Sequence, residues 1–156
     1  MIEVCVGLIA TGKSTYCRQR ALEGWVVVND DNIVNLIHSN QYTLYKERLK
    51  PLYKSVGNHI VYIAVGMGLN VVIDRGLDVS KEARKRWVSI AHSLDIDINA
   101  VVFPYPLLEE CAKRRFESDN RGYDYDTWLQ IVKRHWANYD TPKIDEGFTK
   151  VIQRSF

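Results

Sequence analysis

Met1-Ile2-Glu3-Val4-Cys5-Val6 followed by Gly7-Leu8-Ile9-Ala10-Thr11-Gly12-Lys13-Ser14 is the stretch on which the reading of this chain turns. The first six residues predict a short apolar strand, and a helical pattern follows from Thr15. Between them stands G-x-x-x-x-G-K-[ST], the phosphate-binding loop pattern. Gly7 and Gly12 permit backbone angles and close approach that a β-carbon would forbid, so successive N–H groups can turn inward around a phosphate chain. Lys13 brings an ammonium to the β- and γ-phosphates, with Thr11 and Thr15 beside the loop. Ser14 offers its hydroxyl to Mg²⁺, and the helix N-terminus adds the positive end of its dipole. A chance glycine turn carrying a surface lysine would not need both the strand before it and the helix after it. The expected ligand is a nucleoside triphosphate, ATP, with Mg²⁺.

Composition narrows the class. The chain has 156 residues, which suits one domain, and 46% hydrophobic with 26% charged residues is ordinary for a globular protein rather than a disordered one. A formal net charge of +2 permits a local anionic site but not the broad basic surface of a protein that coats nucleic acid. Cys5, Cys17 and Cys111 lack the paired spacing of a zinc site or a secreted disulfide framework, so they read as reduced thiols in a cytoplasmic protein. The most apolar stretch, Ile60 to Ile73, is interrupted by Gly66, Gly68 and Asn70, and nothing reads as a membrane span or a targeting leader.

Outward from the loop, strand and helix patterns alternate. Trp25 to Val28 predicts a fully buried strand ending in Asn29-Asp30-Asp31, and Asn32 to His38 a short helix that any of those three can cap. A loop over Ser39 to Thr43 leads into a long helical region to about Met67, with Pro51 in its first turn or kinking it. Val71 to Ile73 predicts the next strand, stopping at Asp74-Arg75-Gly76. Over Ser80 to Leu94 a helix carries Ala83, Trp87, Ile90, Ala91 and Leu94 on one stripe, with Lys81, Arg84 and Lys85 largely opposite. Ile98 to Phe103 is a further strand, Leu107 to about Phe116 and Asp126 to Tyr139 are helices, and Val151-Ile152 adds a last short strand. This alternation predicts an α/β fold, a parallel sheet covered by helices on both faces, with ligands beyond the carboxyl ends of the strands. Gly7, Asp30 or Asp31, and Asp74 all follow a predicted strand and are expected to converge on one sheet edge.

A phosphate loop alone does not separate a kinase from a switch or motor ATPase. Phosphoryl transfer to a hydroxyl needs an acceptor-side carboxylate, cations around the moving group and exclusion of water. One of Asp30 and Asp31 can accept the acceptor hydroxyl's proton, the other capping the helix. Asp74 can orient the acceptor, hold Mg²⁺ through water, or bind a neighbouring basic residue. Lys113-Arg114-Arg115 and Arg121-Gly122 bracket a polar segment between two helices, where basic residues on a short lid of about 114–124 can close over ATP. Tyr123, Tyr125 and Trp128 read as packing residues with a stacking alternative, and His59 and His135 as structural.

These segments together resemble the P-loop kinases related to 5′-hydroxyl polynucleotide kinase, over nearly the whole chain. Val26-Val27-Val28-Asn29-Asp30-Asp31-Asn32-Ile33 is similar to the family's V-x-V-N-R-D-D-I segment, which implies that Asp31 is the general base and that Asp30 stands where the family has arginine. Val71-Val72-Ile73-Asp74 resembles the strand bearing its second aspartate, and Arg114 or Arg115 with Arg121 its spaced lid arginines. Tyr139-Asp140-Thr141-Pro142 with Glu146-Gly147-Phe148 resembles its carboxy-terminal segment. Val34 replaces an arginine that some members use to hold a substrate phosphate, and no D-x-D-G-T phosphatase motif occurs. The resemblance implies a single P-loop kinase domain over 1–156, acting on the 5′-hydroxyl end of DNA or RNA. A kinase of a small metabolite, nucleoside or antibiotic, and a nucleotide-dependent ATPase or binding module, remain the alternatives, with oligomeric state open.

Overall fold

Strand β1 (Ile2–Val6) runs through the middle of a five-stranded sheet in the computed structural model, which describes residues 1–119 and 122–155. With β2 (Val26–Asn29), β3 (Val71–Asp74), β4 (Ile98–Val102) and β5 (Lys150–Gln153) the order is β2-β3-β1-β4-β5, and every pairing is parallel. The helices are α1 (Lys13–Leu22), α2 (Asp30–Ile37), α3 (Lys50–Gly66), α4 (Lys81–Ser93), α5 (Leu108–Ser118) and α6 (Tyr125–Ala137).

Strand periodicity divides the interior. Ile2, Val4 and Val6 of β1, with Val71 and Ile73 of β3, point into a core shared with Ile33 on α2, Val61 on α3 and Trp87 on α4. The intervening residues Cys5, Val72 and Val101 face the other way, onto Tyr16 and Cys17 of α1. Helices therefore cover both faces, as the alternating pattern predicted. On the α1 side Glu3 is buried within β1, and its carboxylate accepts hydrogen bonds from Arg20 (2.8 Å) and the Tyr16 hydroxyl (2.6 Å), which compensates its burial. A third cluster packs Cys111, Trp128 and Val132 of α5 and α6 against Leu8, closing over the phosphate loop.

Four elements differ from the sequence reading. β2 is an edge strand, so only Val28 of its run is fully buried, and Trp25 lies before it, half-buried beneath the Arg20 guanidinium. Helix α2 begins at Asp30 because the Asn29 side chain, accepting from Asn32 N–H at 3.0 Å, is the cap; neither aspartate caps. The segment before α3 forms two 3₁₀ turns, Tyr42–Leu44 and Glu47–Leu49, and Pro51 then sits in the first helical turn. Arg84 is fully buried rather than on the solvent face. Its guanidinium is held by Glu146, which lies 62 residues away, and no local periodicity reveals such a partner. All three cysteines are free and buried. Among the described residues no helix is long and apolar enough to cross a membrane.

Candidate active site

The loop between β1 and α1 has the form its glycines predicted. Gly12 adopts φ +95° and Ala10 φ 60°, turning the chain back over the start of α1. At Gly7 an added Cβ would lie 2.9 Å from both Phe103 Cβ and Thr11 Oγ1, so the backbone passes where no side chain fits. The Thr11 hydroxyl donates to the Leu8 carbonyl at 2.8 Å, and Lys13 Nζ donates to the carbonyls of Gly7 (2.8 Å) and Leu8 (2.5 Å). Lys13 is buried, and that burial lowers its ammonium below the usual lysine range, opposed by the charge of Asp74. Ser14 and Thr15 stand exposed at the N-terminus of α1.

Asn29 and Asp74 are paired across β2 and β3 at the carboxyl edge of the sheet. The Asn29 amide donates to the Asp74 carbonyl at 3.0 Å and to its Oδ2 at 3.1 Å, which fixes this buried carboxylate where its charge acts on Lys13. Asp30 and Asp31 occupy the first turn of α2, where the helix dipole favours negative charge. Asp30 is engaged: Arg75 Nε donates to its Oδ2 at 2.6 Å. Arg75 is itself buried, and the carboxylates of Asp78 and Asp30 outweigh its desolvation and raise it above the usual guanidinium range.

One cleft of about 480 Å³ joins these groups. Lys13, Ser14, Asp30, Asp31 and Asp74 line its floor. Tyr42, Tyr45 and Tyr53, with Lys50 and Lys54, form one wall. Tyr45 stacks on Tyr53 at 5.4 Å and on Tyr42 at 6.3 Å, and the Tyr53 hydroxyl is tied to His38 Nε2 at 2.8 Å. Arg115, Tyr123, Trp128, Arg134 and His135, from α5, α6 and the segment between them, also line the cleft. A second cleft, lined by Leu107, Phe116 and Tyr125, contains none of the phosphate-loop or carboxylate residues.

The lid residues separate. Arg115 is held by Asp119 at 2.7 Å over the Trp128 ring and lines the cleft. Arg114, one residue earlier on α5, pairs with Glu110 at 2.9 Å and does not line it. Arg121 lies outside the described residues. Sequence reasoning passed over Arg75, the tyrosine and lysine wall and Arg134, and read His135 as structural although it lines the cleft. The signal for Arg75 was its position directly after a strand-end aspartate; the wall had only a loose Tyr/Lys spacing across a segment read as loop at Tyr42 and as helix beyond it. His135 Nδ1 is buried without a hydrogen-bond partner among the described residues, and burial, then Lys13 and Arg134, lower its imidazole below the usual value. His59 stays on the outer face of α3, its Nδ1 against the Ser55 carbonyl at 2.8 Å. Among the described residues no group of three or more His, Cys, Asp or Glu side chains could hold a metal. Mg²⁺ keeps most of its shell from water and substrate phosphates, and the exposed Ser14 hydroxyl at the N-terminus of α1 is an oxygen donor of the kind it takes.

A parallel five-stranded sheet with this loop, this lysine and strand-end carboxylates in one cleft defines a nucleotide-binding P-loop kinase. A protein-family model described as an AAA domain matches residues 2–139, and the chain belongs to that family. Among solved structures, a chain of the Pnkp1/Rnl/Hen1 complex is similar at 25% identity and TM-score 0.63, over 80% of this chain and 40% of that one. The present chain thus spans about half the length of that relative. A protein from Chloroflexus aurantiacus is similar at 14% identity and TM-score 0.70, covering 98% and 83% of the two chains. The Mycobacterium tuberculosis APS kinase CysC is similar at 18% identity and TM-score 0.61, covering 99% and 89%. These last two share the fold. No curated protein matches the chain by sequence.

Proposed function

We propose that this P-loop kinase transfers the γ-phosphoryl group of ATP to the 5′-hydroxyl end of DNA or RNA. The observation that carries the acceptor assignment is the wall of Tyr42, Tyr45 and Tyr53 beside Lys50 and Lys54, which extends the cleft beyond the carboxylates. Exposed Tyr45 and half-buried Tyr42, resting on the buried Tyr53, offer a surface to nucleobases, and Lys54, with Lys50 once it exchanges Glu47 for a phosphate, offers contacts to phosphates, the combination by which single strands are held. The likeness to a chain of the Pnkp1/Rnl/Hen1 complex supports the same reading.

In this reading Gly7, Thr11, Gly12, Lys13, Ser14 and Thr15 hold the donor phosphates, and residues 1–156 act as one kinase domain with a lid at about 114–124. Ser14 holds Mg²⁺, which when bound neutralises charge on the donor phosphates. Asp31 accepts the proton of the acceptor hydroxyl as its oxygen forms a bond to the γ-phosphorus, and the bond from that phosphorus to the β,γ-bridging oxygen breaks to release ADP. Asp74, fixed by Asn29, orients the acceptor and supports the charge on Lys13. Arg115 and Arg121 stabilise the transferred charge, while Arg114 serves α5 through Glu110. Asp30 neutralises Arg75 and leaves proton transfer to its neighbour.

The wall is tested through acceptor kinetics. Tyr45→Leu and Lys54→Ala are each expected to raise KM for a 5′-hydroxyl oligonucleotide by roughly fivefold or more and to leave KM for ATP unchanged. A nucleoside or small metabolite phosphorylated as efficiently as the oligonucleotide, and indifferent to both substitutions, would assign the acceptor to the small-molecule class instead.

A further inference from the structure

Behind the acceptor-side carboxylates lies a chain of polar groups of which the reading above uses only the Asp30–Arg75 pair. Arg75, immediately after β3, has a side chain only 6% exposed and donates in two directions, from Nε to Asp30 Oδ2 at 2.6 Å and from Nη1 to Asp78 Oδ1 at 2.9 Å. Asp78 is fully buried, and its Oδ2 accepts the indole N–H of Trp87 at 3.0 Å. Trp87, on α4, is fully buried too. Arg84 from the same helix donates to the main-chain carbonyls of Asp78 (3.2 Å) and Val79 (3.0 Å), so the backbone carrying Asp78 is clamped as well. The path runs from cleft to core as Asp30, Arg75, Asp78, Trp87.

A carboxylate taken wholly out of water is costly, and the fold alone would be served by a neutral residue. What the charge adds is direction. Asp30 is 36% exposed, and a guanidinium bound only to such a carboxylate gains little and can swing. Bound at its other nitrogen to an immobile second carboxylate, the planar fork has one orientation.

We propose that Asp78 is a positioning residue for phosphoryl transfer: through Arg75 it holds Asp30, and with it the first turn of α2 that bears Asp31, in the orientation that faces the phosphate loop. The inference rests on the kinase reading of the cleft but not on which hydroxyl compound is the acceptor.

The relay also has a titration signature. Burial pushes the Asp78 carboxyl up to about 6, against the pull of Arg75 and the Trp87 N–H and with a further push from Asp30. The charged or titratable groups around it are Arg75 on its own loop, Asp30 from α2, and Arg84 and Arg86 from α4. Protonation removes one of the two anchors of Arg75. Asparagine is the neutral, near-isosteric mimic of that protonated state: its amide oxygen keeps an acceptor for Trp87, its NH2 group cannot accept from Arg75, and the guanidinium stays paired with Asp30 alone.

Phosphate transfer to a 5′-hydroxyl oligonucleotide would be measured between about pH 5 and pH 8.5 for the wild type, Asp78→Asn and Trp87→Phe. The wild type is expected to show an acid limb with a midpoint near 6. Asp78→Asn should lose about tenfold in kcat at neutral pH with KM for ATP unchanged, and should lack that limb. Trp87→Phe removes a donor to the ionised carboxylate and should move the limb to higher pH. Wild-type kcat in folded Asp78→Asn, or a surviving limb near the same pH, overturns the proposal. If the wild type labels no oligonucleotide, the acceptor assignment fails on its own. The relay is then read from the guanidinium Nε–H resonance of Arg75 by nitrogen-15 NMR. It should be sharp at neutral pH, and broadened at acid pH and in Asp78→Asn; a sharp resonance in the variant overturns the proposal.

Discussion

Replacing Glu146 by alanine should strip the protein of a large part of its stability from a single 3₁₀ turn, Ile144–Glu146, between α6 and β5. The Glu146 side chain is 5% exposed and accepts from Arg84 Nε at 2.9 Å and Nη2 at 2.7 Å, while its Oε1 also accepts the Lys143 backbone N–H at 3.2 Å. Arg84 has no exposure at all, so the substitution strands a guanidinium where water does not reach. Breaking such a pair costs about 3–5 kcal/mol. Against a total of roughly 5–15 kcal/mol for a domain, that is about a fifth or more of what holds the fold. With a urea slope of roughly 2 kcal/mol/M, the midpoint should fall by about 1.5–2.5 M. Unfolding in urea followed by tryptophan fluorescence measures it directly, because Trp87 is fully buried on the same helix. The double substitution Arg84→Met with Glu146→Leu should recover part of the loss, since a buried ion pair can be replaced by apolar groups at little cost. It should not recover all of it: the carbonyls of Asp78 and Val79 that Arg84 satisfies would be left unpaired, at about 1–3 kcal/mol each. A loss below about 1 kcal/mol for Glu146→Ala would put the pair in the class of surface ion pairs and refute this reasoning.

Other consequences are local to the cleft. Gly7→Ala places a methyl 2.9 Å from Phe103 Cβ and Thr11 Oγ1, and should cost about 1–3 kcal/mol of stability together with weakened nucleotide affinity, both measurable by thermal unfolding with and without ATP. Arg115→Ala should lower kcat by at least about tenfold, whereas Arg114→Ala, which removes an exposed pair with Glu110, should leave it within about twofold. His135 is held neutral by burial, its folded-state value lying below the 6.5 of a free imidazole, so it contributes stability that is present above that pH and lost as the pH falls. The urea midpoint of the wild type should therefore drop on acidification by more than that of His135→Asn.

Much of the fold was legible because its signals are local. A complete phosphate loop, four apolar strand runs and the helical patterns between them fix a parallel sheet, and Gly7, Asp74 and the Asp30-Asp31 pair reach one edge of it simply by following strands. What stayed hidden depends on contacts between distant segments. Arg84 sits on a helix whose stripe places it among lysines, yet Glu146 draws it inside. Asp78 carries no motif at all; its burial is explained only by Arg75 on one side and Trp87 on the other. The choice between Arg114 and Arg115 was a matter of helix rotation, roughly a hundred degrees per residue, which a run of three basic residues does not encode. The cap of α2 fell to Asn29 rather than to either aspartate because Asn29 ends β2 in an extended conformation, with its amide oxygen reaching Asn32 N–H.

The most direct measurement is transfer of labelled γ-phosphate from ATP to matched DNA and RNA oligonucleotides bearing 5′-hydroxyl ends, beside the same oligonucleotides already phosphorylated there, free nucleosides, and the Lys13→Ala and Asp31→Asn variants. Label confined to the 5′ end of the hydroxyl oligonucleotides, lost in both variants, is the predicted result. ATP turnover that leaves every oligonucleotide unlabelled, or label that goes to nucleosides alone, would contradict it.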